Sequence, residues 1–338
     1  MPGKQAYDAV LLVSFGGPEK MIDVIPFLEN VLRGKNVPTE RMAAVAKHYE
    51  QFGGISPINE QNRKLIAAIE ESFKKHGPEL PVYWGNRNWH PMLADTLAKM
   101  AHDGVKNALA FVTSAYGSYA SCRQYLENIK EACSKTGPSQ LKVDKLRLYF
   151  NHPGFIEANA ANQADALGQF FPGATRAPKV LFSAHSIPLS MAENCLYAEQ
   201  LKETARLVAA KTGITDWEVV YQSRSGPPSH RWLEPDVLDR LKAVAEAGIT
   251  DVLIHPIGFI SDHMEVIFDL DMEARKLSEK LGLNMVRAAT VGTHPAFVEM
   301  IRQMVLEKAY KADALYLGDF GLSLDQCSIG CCSPASRS

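Results

Sequence analysis

Short apolar runs alternate along the chain with amphipathic helical patterns. The segment 200–211 is typical of the helical stretches, because its apolar residues recur at helical spacing. Six apolar runs have the length of buried strands, and they lie at residues 9–14, 81–85, 107–113, 179–184, 217–222 and 251–257. Strands that alternate with helices in this way predict βαβ units and parallel sheets covered by helices on both faces.

The two halves of the chain repeat one pattern. Three pairs of segments match, namely 9–18 with 180–188, 81–88 with 217–224, and 103–119 with 247–263. We therefore predict two α/β domains of similar plan, divided near residues 150–175. In such proteins ligands bind beyond the carboxyl ends of the strands, so we expect the binding site in the cleft between the domains.

Composition narrows the class of protein. A chain of 338 residues suits two domains of about 100–200 residues each. The formal net charge of −2 offers no basic surface for a nucleic-acid partner. No apolar run approaches the roughly 18 residues that cross a bilayer, and no signal-peptide pattern precedes the first strand. We therefore expect a soluble cytoplasmic protein without stable membrane insertion.

The residues that follow the strands are the candidates for chemistry. Ser14–Pro18 follow the first strand, Ser183–Pro188 the fourth and Ile260–Glu273 the sixth. G-x-G-x-x-G is absent, which disfavours a nucleotide site. Ser183 is not part of a G-x-S-x-G turn, which disfavours a serine hydrolase. His185 is a candidate functional residue, although a hydrogen-bonded core or surface histidine would fit the same position.

An unusual density of acidic residues follows the sixth strand. On an α-helix, Asp262, Glu265, Asp269 and Glu273 would share a stripe only ~80° wide. The stretch 260–274 contains no lysine or arginine. Unpaired neighbouring carboxylates raise one another's pKa, so a metal cation or passing protons should compensate them. For the first two acids, an N-cap and capping box is an alternative interpretation.

His185 and Glu265 together have the ligand types of a divalent transition-metal site with open positions. Such a sparse set suits transfer of a metal rather than a permanent structural site. The acids that follow Glu265 would relay protons or deliver the metal. C-x-x-C and H-E-x-x-H are absent, which disfavours a hydrolytic zinc site.

Three motifs resemble those of the ferrochelatase family. Phe182–Pro188 and Gly258–Glu265 resemble its signature pair, and Phe52–Ile58 adds a third motif. The likeness extends from Leu11 to about residue 310. Ser14–Pro18, residues 83–91 and the cysteine-rich tail are similar to the actinobacterial branch, which is associated with inserting iron into coproporphyrin III.

This resemblance implies a monomeric cytoplasmic enzyme with two Rossmann-like, chelatase-type domains. Residues 1–155 would form the first domain and 156–294 the second, helix 295–312 would return to the first domain, and 313–338 would be a cysteine-containing tail. The implied activity is that of a lyase in haem biosynthesis. It inserts Fe²⁺, its substrate, into coproporphyrin III and releases two protons.

The resemblance also assigns roles to individual residues. His185 matches the family's invariant histidine, on the side where metal and protons move, and Glu265 matches its partner carboxylate. The expected relay of protons or metal consists of Asp262, His263, Asp269 and Glu273. The expected porphyrin contacts are Ser56, Tyr125, Tyr49 and Phe15.

Two positions depart from the pattern of some relatives. Phe15 stands where some of them carry a tyrosine able to approach the metal from the opposite face. Asn88 stands where animal members have a tyrosine.

The cysteines leave two interpretations open. Cys327, Cys331 and Cys332 stand where cluster-bearing relatives bind [2Fe–2S], and such a cluster needs four ligands. Those relatives supply the fourth from a segment that here reads Phe155–Ala158, without cysteine. One of three other cysteines would have to replace it, namely Cys122, Cys133 or Cys195. A mobile thiol-containing tail is the alternative.

Other functions also fit the residues. The enzyme could use protoporphyrin IX, or it could load cobalt or iron into sirohydrochlorin with His263 as a second metal-binding histidine. A non-enzymatic porphyrin or metal carrier is a further alternative. Turnover assays with the competing tetrapyrroles distinguish these functions.

Overall fold

The computed structural model describes residues 7–34, 38–135, 141–170, 177–225, 230–323 and 331–332. Its named strands form two four-stranded parallel sheets. The first sheet contains β1 (Ala9–Ser14), β2 (Val82–Asn86), β3 (Asn107–Val112) and β4 (Lys142–Lys145). The second contains β5 (Lys179–His185), β6 (Trp217–Gln222), β7 (Asp251–His255) and β8 (Asn284–Arg287).

Both sheets have the same strand order. It is β2-β1-β3-β4 in the first sheet and β6-β5-β7-β8 in the second. The three matched segment pairs in the sequence correspond to β1 with β5, β2 with β6, and β3 with β7. The structure therefore confirms the predicted pseudo-duplicated α/β fold with two parallel sheets.

Helices connect and cover the strands. In the first half they are α1 (Met21–Leu32), α2 (Thr39–Glu50), α3 (Ile58–His76), α4 (Leu93–His102) and α5 (Gln124–Ser134). They continue with α6 (Pro153–Leu167), α7 (Leu189–Ala192), α8 (Tyr197–Thr212), α9 (Val237–Glu246), α10 (Met264–Val266), α11 (Arg275–Leu281) and α12 (Pro295–Tyr310). Two segments are π-helical, Tyr119–Arg123 and Ile267–Ala274.

The central strands of each sheet are the most apolar. Every residue of β1 is buried, because β1 lies between two strands and beneath helices on both faces. The edge strand β4 is partly exposed and carries lysine at both ends. The polar composition of β4 and of its counterpart β8 explains why the sequence missed these two strands, although it predicted the other two edge strands, β2 and β6.

Helix α12 packs against elements of the first half. Its Phe297 ring lies 6.1 Å from the ring of Phe111 on β3, measured between centroids. Arg302 Nη1 donates to the carbonyl of His76 at the end of α3, at 3.2 Å. Contacts of this kind are expected of a C-terminal helix that returns to the first domain. The domain boundaries at 155 and 294 stay a prediction.

Candidate active site

Loops at the carboxyl ends of the two sheets contact each other. The Tyr116 hydroxyl, after β3, donates to the Ile257 carbonyl, after β7, at 2.8 Å. The backbone N–H of Asp262 donates to Gln61 Oε1 on α3 at 2.8 Å. Met264 is buried in an apolar cluster with residues of α1 and α2. The chain after β7 is therefore held against the first half of the molecule.

His185 ends β5 and faces Glu265. Its Nδ1 is paired with the carbonyl of Ser186, and its Nε2 lies 3.8 Å from Glu265 Oε2. Because a carbonyl only accepts, Nδ1 carries a proton, and the lone pair of neutral His185 lies on Nε2. About a third of the His185 side chain is exposed (33%), so the imidazole is not sealed within the core.

Two opposing influences act on the protonation of His185. Burial lowers the pKa of the imidazole, while the Glu265 carboxylate and the Ser186 carbonyl raise it, and the net effect is a raised pKa. The structure thus pairs a proton acceptor with the carboxylate that stabilises its charged form. This pairing was predicted from the sequence.

His263 approaches the same carboxylate oxygen of Glu265. Its Nδ1 is 4.0 Å from Glu265 Oε2, and its ring meets the edge of Phe259 with centroids 4.9 Å apart. Burial and the charge of nearby His185 lower the pKa of His263, whereas the carboxylates of Glu265 and Asp262 raise it. The net effect is a lowered pKa. His263 is therefore the more readily deprotonated of the two imidazoles.

Asp269 and Glu273 follow Glu265 at intervals of four residues, through α10 and the π-helical segment. Four residues lie between the 3.6 residues of an α-helical turn and the wider π turn, so these acids share one face. Burial raises the pKa of Asp269 to about 7. The hydrogen bond from Ser223 lowers this pKa, and the negative charges of Glu265 and Glu273 raise it. Glu265, Asp269 and Glu273 therefore lie along one face as predicted, whereas Asp262 precedes the helix. The helix is α-helical only as far as Val266 and π-helical from Ile267.

Asp262 is paired differently from the other acids. Its carboxylate accepts from Arg287 Nη1 at 3.2 Å and from the Thr290 hydroxyl at 3.3 Å. Arg287 also binds Asp271 through Nε at 2.6 Å and Nη2 at 2.9 Å. The N-cap of α10 is His263, without a side-chain cap. The N-cap interpretation of Asp262 is therefore wrong, and its partner is an arginine from β8.

Aromatic side chains of the first half form one wall near Glu265. Phe27 makes edge-to-face contacts with Phe15, at a centroid distance of 6.2 Å, and with Tyr49, at 6.0 Å. Burial and the nearby Glu265 carboxylate raise the pKa of Tyr49, so its phenol stays protonated. Phe15 is partly exposed (36%), whereas Tyr49 is buried.

Arg87 connects this wall to Tyr125. The guanidinium carbon lies 4.5 Å from the Tyr125 ring centroid and 5.8 Å from that of Phe15, both within cation–π range. Arg87 Nε also donates to Asn128 Oδ1 at 2.7 Å. Ser56 is buried and its backbone N–H donates to Pro18 at 2.9 Å. The predicted porphyrin contacts thus divide between an aromatic wall and a buried serine.

The described cysteines do not assemble a cluster site. Cys331 and Cys332 have sulfur atoms 3.6 Å apart, and Cys327 lies outside the described residues. The segment 155–158 forms the start of α6 without a thiol. Among the residues described here, no group of three or more His, Cys, Asp or Glu is placed to hold a metal ion.

Several residues of the site were not singled out from the sequence. Gln222 and Ser223 hold Asp269, Phe259 packs on His263, and Arg287 pairs Asp262. The match of 217–224 with 81–88 placed Gln222 and Ser223 at the end of a strand, and this position could have marked them as candidate site residues. The long-range pairing of Arg287 had no local signal.

Comparison with known proteins decides the family. The ferrochelatase family model matches residues 7–309. The chain belongs to the ferrochelatase family. It is 56% identical to a ferrochelatase of Rhodopirellula baltica, over 96% of this chain and 93% of that protein. It is 46% identical to the coproporphyrin III ferrochelatase of Streptomyces coelicolor, over 96% of this chain and 93% of that protein.

A solved structure shows the same fold at low sequence identity. The sirohydrochlorin chelatase SirB from Bacillus subtilis subspecies spizizenii superposes with a TM-score of 0.54 at 11% identity, over 90% of this chain and 96% of that one. As a ferrochelatase, the chain is a lyase that inserts iron, its substrate, into a porphyrin. No helix within the described residues is both long and apolar enough to cross a membrane.

Proposed function

We propose that this ferrochelatase inserts Fe²⁺ into coproporphyrin III and releases two protons, within haem biosynthesis. The arrangement of His185 Nε2, 3.8 Å from Glu265 Oε2, carries the proposed mechanism. Relatives named coproporphyrin III ferrochelatase support the choice of porphyrin, among them those of Streptomyces coelicolor and Nocardia farcinica, each 46% identical. The ferrochelatase of Rhodopirellula baltica supports the reaction alone.

His185 is proposed as the group that removes protons from the pyrrole nitrogens. Its Nδ1 is engaged with the Ser186 carbonyl, which leaves the Nε2 lone pair for a proton. Glu265 then stabilises the imidazolium that forms. A positioned general base of this kind accelerates a reaction by about 10²–10⁴-fold.

The same two residues are proposed as the transient ligands of the incoming iron. An imidazole nitrogen and a carboxylate oxygen are suitable ligands for a divalent transition metal. The Nε2 lone pair binds either a proton or a metal, but not both together. Contact with iron and removal of a pyrrole proton by His185 are therefore separate steps.

The acidic line is proposed to carry protons, or the metal, between Glu265 and solvent. Asp269 has a pKa of about 7, so near neutral pH it exchanges a proton at little free-energy cost. Glu273 is exposed and forms the outer end, and His263 adjoins the inner end. Asp262 was expected in this relay, but its ion pair with Arg287 favours a structural role.

The macrocycle is proposed to contact Ser56, Tyr125, Tyr49 and Phe15. The aromatic wall supplies apolar surface for a flat ring. Arg87, held beside Tyr125, supplies a cation for one of the carboxylates at the porphyrin edge. Coproporphyrin carries carboxylates where protoporphyrin carries vinyl groups, so rim polarity should distinguish the two.

Parallel turnover assays test this proposal. Iron insertion is measured with coproporphyrin III and protoporphyrin IX, and cobalt and iron insertion with sirohydrochlorin. We expect the largest kcat/KM for coproporphyrin III. A larger value for protoporphyrin IX or sirohydrochlorin would replace the proposed substrate, and binding without turnover of any of them would indicate a carrier.

We further propose that the enzyme is a cytoplasmic monomer. Light scattering of the purified protein tests the oligomeric state, and fractionation of cells tests the location.

A [2Fe–2S] cluster that includes Cys327, Cys331 and Cys332 stays a prediction. Visible absorption and acid-labile sulfide of anaerobically purified protein decide it. Cluster bands that disappear in Cys331→Ser would support the cluster, and absence of both bands and sulfide would refute it.

A further inference from the structure

Gln222 and Ser223 lie where β6 ends, directly beside the end of the strand that carries His185. In the sheet, Gln222 is the register partner of His185. The backbone N–H of Ser186 donates to the Gln222 carbonyl at 2.8 Å. The position of these two residues relative to the His185 imidazole is therefore set by main-chain hydrogen bonds.

The side chains of the same two residues reach the helix that carries the acids. Gln222 Nε2 donates to the Glu265 carbonyl and to Asp269 Oδ2, at 3.3 Å in each case. The Ser223 hydroxyl donates to the same Asp269 oxygen. Gln222 is buried, with 1% of its surface exposed. One dipeptide thus links the His185 strand to the junction between α10 and the π-helical segment.

Ser223 adopts a backbone conformation that a serine rarely takes. Its φ is +59°, and within the described residues only Lys311 and Cys332 share a positive φ among non-glycine residues. Glycine would adopt this conformation without steric strain. A strained residue persists where the surrounding structure fixes it, and such residues cluster at functional sites. Here the strained turn directs the hydroxyl at Asp269.

We propose that Gln222 and Ser223 are positioning residues for metal insertion, which hold the Asp269 carboxylate and the Glu265 main chain in fixed relation to His185. This inference rests on the proposed roles of His185 and the acidic line. Neither residue belongs to the proposed porphyrin contacts. Their loss should therefore affect the catalytic step and leave binding of the macrocycle intact.

Ser223→Gly is the decisive variant, because it removes the hydroxyl and relieves the backbone at the same time. Relief of the backbone and loss of the hydrogen bond to Asp269 oppose each other, so the thermal midpoint should stay close to that of the wild type. We expect kcat for iron insertion to fall about tenfold, in line with the sensitivity of catalysis to misplaced groups. KM for the porphyrin should stay within about twofold of the wild-type value.

Two further variants complete the experiment. Gln222→Glu replaces the amide donor with a carboxyl group that repels Asp269, and it should lower kcat further, with folding checked by a thermal melt. Lys311→Gly is the matched control, because exposed Lys311 has a φ of +58° at the end of α12, away from these contacts. It should retain wild-type kcat.

Each outcome separates the alternatives. Lower kcat in Ser223→Gly, with unchanged porphyrin KM and a thermal midpoint close to that of the wild type, supports the proposal. Wild-type kcat in Ser223→Gly, or an equal loss in Lys311→Gly, overturns it. If the wild-type protein inserts iron into no porphyrin, the proposed function itself fails, which is a different result from an active enzyme that tolerates the loss of Ser223.

Discussion

The imidazole of His48 stacks on the phenyl ring of Phe268, with centroids 3.9 Å apart and planes 8° apart. His48 belongs to α2 in the first half, and Phe268 lies in the π-helical segment of the second. Met264, four residues before Phe268, is buried against α1 and α2. The stack is therefore a second contact that ties the helix carrying Glu265 to the first half.

Removing this stack should weaken the fold slightly. We expect His48→Ala to lower the free energy of unfolding by about 1 kcal/mol, the usual contribution of an aromatic pair. Urea unfolding at pH 7 measures the change. His48→Phe is the control, because a flat ring can still stack on Phe268. An equal loss in both variants would contradict the role of the stack.

Loss of His185 should affect chemistry far more than binding. We expect His185→Ala to lower the rate of iron insertion by about 10²–10⁴-fold, since the proton acceptor is gone. Porphyrin binding should remain measurable by fluorescence quenching. His102→Ala, at an exposed histidine that ends α4, should behave as the wild type. Normal turnover in His185→Ala would refute the proposed mechanism.

Asp269 should make the stability of the protein depend on pH. Its pKa is about 7 in the folded state, against about 3.9 for an ordinary aspartate. Between pH 4 and 7 Asp269 binds more protons in the folded state than in the unfolded state, so its contribution to stability falls as the pH rises through this window. The fall should reach at most about 4 kcal/mol, at 1.36 kcal/mol per pKa unit.

Asp269→Asn should remove this fall. Denaturant unfolding at pH 4.5, 6 and 8 measures the free energy of unfolding. As the pH rises, Asp269→Asn should become more stable relative to the wild type. Asp239→Asn changes an aspartate whose side chain is 72% exposed, and its curve should run parallel to the wild type. Parallel curves for Asp269→Asn and the wild type would show that Asp269 ionises as an ordinary aspartate.

Arg287 should contribute to stability through two carboxylates at once. We expect Arg287→Met to lower the free energy of unfolding by about 2–3 kcal/mol at pH 7, because Asp262 and Asp271 are partly buried and lose their cation. The double variant Arg287→Met/Asp271→Asn should recover part of this loss in urea unfolding. Strict additivity of the two substitutions would show that the ion pair contributes nothing.

The inner strands were predictable because burial on both faces demands continuous apolar runs. The inner strand β1 begins and ends where the sequence predicted. So does β6, an edge strand whose second half is buried. β4 reads Lys-Val-Asp-Lys and β8 reads Asn-Met-Val-Arg. Such short edge strands are half polar, so their hydrophobic pattern does not differ from that of a loop. Strand pairing, rather than local pattern, creates them.

The site was predictable only in part. His185 and Glu265 were predicted because each comes after a buried strand and lies in a family motif, and the structure places His185 Nε2 3.8 Å from Glu265 Oε2. The pairing of Asp262 was not predicted, because its partner Arg287 lies on another strand, outside the cation-free stretch 260–274. The strained backbone of Ser223 likewise could not be predicted, because serine does not usually adopt a positive φ and the conformation depends on tertiary contacts.

The repeated strand order gives the two halves equivalent positions with different side chains. After β1 the chain presents Phe15, and at the end of β5 it presents His185. One copy of the framework thus offers an apolar face, while the other offers a group that ionises. In the proposed mechanism, recognition and reactivity therefore belong to different copies, so substitutions after β1 should change the choice of macrocycle and leave the proton acceptor at the end of β5 in place.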